Sequence, residues 1–139
     1  MRIKNRFVID AKVIVSALLF KNSKPRQAFD KAFDNGHILL SLPVLFELDR
    51  ILSLEKFDKY LDKNDRMLFL NYLVKESHFK EISETIHECR DPKDDMYLEL
   101  AVNGEAKTII SGDSDLLVLN PFRKISILTP EQFLSFQLI

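Results

Sequence analysis

The chain has 139 residues and 16.2 kDa, with 46% hydrophobic and 29% charged residues, which suits one globular domain over 1–139 and excludes an intrinsically disordered chain. A single cysteine, Cys89, excludes an internal disulfide, and only three glycines exclude a collagen-like or linker-rich protein. The net charge of −1 conceals two blocks: residues 1–35 carry eight Lys or Arg against three Asp, and residues 47–99 carry fourteen acids against nine bases.

In chain order, residues 6–10 read as a buried strand ending at Asp10. Ile14, Ala17 and Leu18 follow at helical spacing, and a second helix over 25–35 is closed by Gly36. A short strand over 38–41 precedes a helix opened by Pro43, whose stripe is Val44, Leu45, Leu48, Ile51 and Leu52. Helices are expected over 55–60 and 65–75, and a weak strand over 79–82. Asp91 and Pro92 open a helix that turns Tyr97, Leu98, Ala101 and Val102 inward. A strand over 107–111, a loop over 112–115 and a short helix to Leu119 come next. The chain closes with a strand over 125–128 and a helix capped by Thr129. Strands separated by helices predict an α/β fold, a three-layer α/β/α sandwich around a parallel sheet of four to five strands. The apolar run behind the basic start is broken by Asp10 and Lys12, so no secretory signal or membrane span is expected and the compartment expected is the cytoplasm.

Ligands of open α/β sheets bind beyond the carboxyl ends of the strands. Asp10 ends the first strand, Asp113 follows the strand over 107–111, Asp94 and Asp95 open the helix leading into it, and Glu47 borders the stripe of its own helix. Carboxylates that converge there repel one another unless a cation sits among them, and hard oxygen donors point to Mg²⁺ or Mn²⁺. Such ions serve phosphodiester hydrolysis. Asp94, Asp95 and Asp115, each taken alone, also fit ordinary helix N-termini. His87 and Cys89 are too few for a zinc site, and Ser111-Gly112-Asp113 is no nucleophile elbow.

The strings Val8-Ile9-Asp10, Arg90-Asp91-Pro92-Lys93-Asp94 and Ser111-Gly112-Asp113-Ser114-Asp115 occur in an order and spacing that resemble PIN-domain ribonucleases. The closing strings, Leu119-Asn120-Pro121-Phe122 and Ile127-Leu128-Thr129-Pro130-Glu131, are similar to a bacterial branch of VapC-like toxins from toxin–antitoxin pairs. The resemblance implies a metal-dependent ribonuclease acting on single-stranded RNA, with Mg²⁺ or Mn²⁺ as cofactor. It implies catalytic roles for Asp10, Glu47, Asp94 and Asp113, with Asp10, Asp94 and Asp113 on the metal and Asp95, Ser111 and Asp115 as auxiliaries. It further implies self-association, as a homodimer or higher oligomer, and a small antitoxin partner.

The first motif departs from the family, which usually has Asp-Thr-Asn-Val where this chain has Asp10-Ala11-Lys12-Val13. A methyl and an ammonium replace a hydroxyl and an amide. Lys12 can bend into the acids as a tethered cation, so the alternative is a weakened or inactive PIN-like protein-binding module. The basic block suggests that Arg2, Lys4, Lys21, Lys24 and Arg26 contact RNA phosphates.

Overall fold

The computed structural model describes residues 5–138; Arg2 and Lys4 therefore lie outside the described residues. Five strands alternate with helices, as periodicity predicts: β1 (Asn5–Ile9), α1 (Ala11–Leu19), α2 (Lys24–Asn35), β2 (Gly36–Leu40), α3 (Leu42–Leu52), α4 (Lys63–Glu76), β3 (His78–Phe79), α5 (Asp95–Asn103), β4 (Thr108–Ile110), α6 (Ser114–Leu117), β5 (Ser126–Leu128) and α7 (Pro130–Ser135). Two short 3₁₀ turns, Glu55–Phe57 and Pro92–Asp94, complete the described elements.

All strand pairs are parallel, in the order β3-β2-β1-β4-β5, with Phe7 opposite Ile38, Val8 opposite Ile109 and Ile109 opposite Ile127. The chain winds outward from β1 in one direction through β2 and β3, then in the other through β4 and β5. The switch point thus lies between β1 and β4, where an open parallel sheet leaves a crevice at its carboxyl ends. Two helical layers cover the sheet. Helices α2 and α7 pack together on one face, where the Phe7 and Phe133 rings meet edge-on at 5.4 Å; α5 lies across β1, β2 and β4, with α3 beside it. The central strands are buried on both faces and are therefore continuously apolar: Phe7, Val8, Ile9, Ile109 and Ile110 are at most 2% exposed.

Helix starts follow local chemistry. Ser23, Ser41, Asp62 and Thr129 each accept a backbone N–H of the first turn of α2, α3, α4 and α7, and Thr129 forms a full capping box with Gln132.

Three local expectations change. The helix expected over 55–60 is only the 3₁₀ turn, because residues 55–60 lack an apolar face long enough to propagate a helix. The helix expected over 65–75 begins earlier, at Lys63, because Asp62 caps it. The strand expected over 79–82 is two residues, since β3 pairs only with the end of β2. Gly36 closes α2 as expected, in extended conformation (φ 178°). Glycine is required there by close approach: a Cβ would lie 2.0 Å from the Asn5 carbonyl oxygen across the β1–β2 pair. Gly36→Ala is expected to cost about 3 kcal/mol, the upper end for overpacking, measured by urea unfolding with an unchanged m-value.

Candidate active site

Asp10 is the residue immediately after β1 and the N-cap of α1, only 3% exposed. Its Oδ1 accepts the Lys12 backbone N–H at 3.0 Å, and its Oδ2 accepts the Ser111 hydroxyl at 2.7 Å. Ser111, fully buried after β4, also accepts the Asp113 N–H on its Oγ at 3.0 Å. One hydroxyl therefore ties the loop after β4 to the acid after β1, across the switch point. Asp113 in turn caps α6, its Oδ1 accepting the Asp115 N–H at 2.9 Å.

Asp94 ends the 3₁₀ turn before α5 and reaches the same place. One carboxylate oxygen each from Asp94, Asp113 and Asp115 lie within 4.8 Å of one another. The Asp94 Oδ2 is buried with no hydrogen-bond partner among the described residues. Asp115 pairs with Arg90 at 3.0 Å.

The electrostatics follow from this crowding. Burial, and then the charges of Asp113, Asp10 and Asp91, push the Asp94 carboxyl up to about 7, with Lys12 opposing. Burial also holds the Asp10 carboxyl above its usual range against the lowering effects of the Ser111 hydroxyl, the Lys12 N–H and the Lys12 ammonium. Both shifts run in the direction that a cation bound among the carboxylates would oppose.

Three side chains absent from the sequence-based site border it. The Tyr97 hydroxyl accepts the Ala11 N–H at 3.1 Å, and its proton is held, chiefly by burial and then by the neighbouring Asp10 charge, well above the usual phenol range. Cys89 lies beside the acids; burial and its hydrogen bond to Asp95 push the thiol up to about 12. Arg90 is the third. Tyr97 reads in sequence as one more inward-facing residue of α5, and nothing in its spacing distinguishes it from Leu98 or Ala101.

The other expected site residues fall elsewhere. Glu47 is held by Arg50 on the Tyr97 side, outside the aspartate trio. Asp95 is buried, but its Oδ1 accepts the N–H groups of Glu88 and Cys89 at 3.1 and 2.8 Å, so it anchors the incoming chain. Lys12 is exposed, and its charge is felt by Asp10 and Asp94 without a direct ion pair to either among those described. Lys21 and Lys24 are exposed, whereas Arg26 is occupied by Asp30 at 3.3 Å and the Ala17 carbonyl at 3.4 Å.

A carboxylate site at the switch point of a doubly wound parallel sheet defines the class. The model of the PIN domain matches residues 6–115, and this chain belongs to the PIN-domain family, whose members are generally nucleases that use divalent metals. The uncharacterized protein MJ1680 of Methanocaldococcus jannaschii is 30% identical over 144 residues, covering 96% of this chain and 92% of its own length. Among solved structures, PAE2754 from Pyrobaculum aerophilum is similar with a TM-score of 0.59 and 14% identity, over 95% of this chain and 88% of that one. VapBC2 from Rickettsia felis, solved bound to a DNA fragment from its promoter, is similar with a TM-score of 0.55 and 16% identity, over 88% of this chain and 96% of that one. No helix among the described residues is long and apolar enough to cross a membrane.

Proposed function

We propose that this chain is a metal-dependent endoribonuclease that cleaves single-stranded RNA and acts as the toxin of a toxin–antitoxin pair. The observation that carries the proposal is the Asp94 carboxylate, whose buried Oδ2 has no described partner and which gathers with Asp113 and Asp115 within 4.8 Å. Such a set suits a hard divalent cation: every donor is an oxygen, and Arg90 on Asp115 is the one cation paired with the trio among the described residues. Asp94, Asp113 and Asp115 would hold Mg²⁺ or Mn²⁺, with Asp10 beside them. When bound, that ion activates water and offsets charge on the attacked and leaving oxygens of a phosphodiester.

The chain's own residues supply the orientation. Ser111 fixes Asp10 and Asp113 relative to each other, and Tyr97 holds the first turn of α1 beneath Asp10. Exposed Lys21 and Lys24 offer charge for RNA phosphates. RNA as substrate rests on the resemblance of the acidic strings, and the toxin role on that of the closing strings, Leu119-Asn120-Pro121-Phe122 and Ile127-Leu128-Thr129-Pro130-Glu131. A protein partner has surface to use: Met67, Leu68, Tyr72 and Val74 of α4 are all exposed, with Leu68 at 68%. Metal-dependent cleavage of a generic single-stranded RNA tests the proposal, with EDTA and Asp10→Asn as controls.

A weakened, non-catalytic module is the second reading, favoured by Ala11 and Lys12 in the first motif. Against it, Lys12 is exposed and makes no direct ion pair with Asp10 or Asp94 among those described. Lys12→Asn is expected to tighten Mn²⁺ binding about fivefold, the effect of removing about 1 kcal/mol of repulsion, and to lower the metal-free Tm slightly. Calorimetric titration with Mn²⁺ checks it; unchanged affinity places Lys12 outside the site.

A further inference from the structure

Among the described residues, Arg90 is the cation in direct contact with the aspartate trio, and its anchoring differs at the two ends of its side chain. The backbone before it is clasped by three residues on one stripe of α5. Asn103 accepts the N–H groups of Ser83 and Glu84 at 3.0 and 2.9 Å, Glu99 accepts that of Ile86 at 2.9 Å, and Asp95 accepts those of Glu88 and Cys89. Spacings of four residues put 95, 99 and 103 on one face of the helix. Ile86, 3% exposed, plugs the clasped segment into the core. Just after Arg90, Asp91 caps the next turn by accepting the Lys93 N–H at 3.1 Å. The root of Arg90 is therefore fixed on both sides.

Its head is not. The Arg90 side chain is 85% exposed, and its described polar contact is the single Nη2–Asp115 Oδ1 pair at 3.0 Å. An exposed pair of this kind contributes little to stability, and most of the guanidinium's five N–H donors face water.

We propose that Arg90 is a substrate-binding residue that grips an RNA phosphate at the acidic site and rests on Asp115 when no substrate is bound. This rests on the nuclease reading above. A cation taken up by Asp94, Asp113 and Asp115 competes with the guanidinium for Asp115, and a fixed root keeps the released head at the rim of the site. A guanidinium matches two phosphate oxygens with parallel N–H donors, which an ammonium does not. Arg90 thus couples metal occupancy to RNA affinity.

The test uses the full chain and a 5′-labelled generic single-stranded RNA, with binding followed by fluorescence anisotropy at several KCl concentrations, with and without Mn²⁺. Mn²⁺ affinity is measured separately by calorimetry. Arg90→Ala is expected to weaken RNA binding in Mn²⁺ about tenfold and to reduce the salt slope by about 0.7, while Mn²⁺ itself binds as well or better. Arg90→Lys should recover the salt slope but only part of the affinity. If Arg90→Ala binds and cleaves RNA like the parent chain and only Mn²⁺ affinity rises, Arg90 merely neutralises Asp115 and the proposal fails while the nuclease reading stands. If the parent chain neither binds nor cleaves RNA in Mn²⁺, the nuclease reading fails and takes this proposal with it.

Discussion

Asp113→Asn and Asp10→Asn are each expected to reduce Mn²⁺-dependent RNA cleavage by about a thousandfold, with no loss of thermal stability. A carboxylate that holds the ion, as Asp113 would, or stands beside it, as Asp10 would, supports several kcal/mol of transition-state charge stabilisation, and that converts to a rate loss of this size. The fold should tolerate both changes for reasons visible at each position. An amide oxygen at 113 can still accept the Asp115 N–H at the start of α6. At 10 it can still accept the Lys12 N–H, its amide N–H can donate to Ser111 Oγ in place of the bond the carboxylate accepts from that hydroxyl, and the penalty for burying a carboxylate is removed. The Tm of either variant should equal or exceed that of the parent without metal. Single-turnover cleavage and thermal melts, run side by side, check both halves. Cleavage that persists in these variants and in EDTA removes the aspartates from the chemistry.

The metal-free domain is expected to lose stability as pH rises through neutrality, and Mn²⁺ to restore it. Asp94 titrates near 3.8 when unfolded and about 7 when folded, so between those values the folded state holds the extra proton. Stability then falls with rising pH across roughly pH 4 to 7 and levels off above. Asp10, shifted in the same direction by burial, adds to the slope. A cation requires the ionised carboxylates, so its stabilisation runs the other way and is greatest at alkaline pH. At a hundred times its Kd, Mn²⁺ contributes about 2.7 kcal/mol, or on the order of 10 °C for a domain of this size. Melts at pH 5.5 and pH 8, each with Mn²⁺ and with EDTA, separate the two trends. Asp94→Asn should flatten the metal-free slope and abolish most of the Mn²⁺ shift. A metal-free Tm that rises from pH 5.5 to pH 8 contradicts the whole electrostatic account.

The architecture was legible because its signals are local. Apolar runs bounded by acids or by Ser, Pro and Gly mark β1, β2 and β4, and helical spacing marks α3 and α5. Local signals are weakest between α4 and α5, where β3 is only two residues long. Residues 80–91 have hardly any regular structure, and their path is set by the side chains of Asp95, Glu99 and Asn103. That clasp also gives Asp95 a backbone-anchoring role, although in sequence it is indistinguishable from its neighbour Asp94. Which of two adjacent acids faces the trio depends on where the 3₁₀ turn ends and α5 begins, a matter of about 100° of rotation.

By itself, the sequence determined the layer order, the strand-ending position of Asp10 and the placement of Asp94 and Asp113 at helix starts, because hydrophobic period and capping chemistry act over a few residues. Only the tertiary structure decided which acids share one site. Residues 10, 94 and 113 become neighbours because the parallel order places β1 beside β4, so that Ser111 reaches Asp10 across 101 positions of chain. The same packing turned Gly36 into a close-approach residue, set Tyr97 under Asp10 and brought Arg90 to Asp115. These contacts span strands and layers, and no local spacing encodes them.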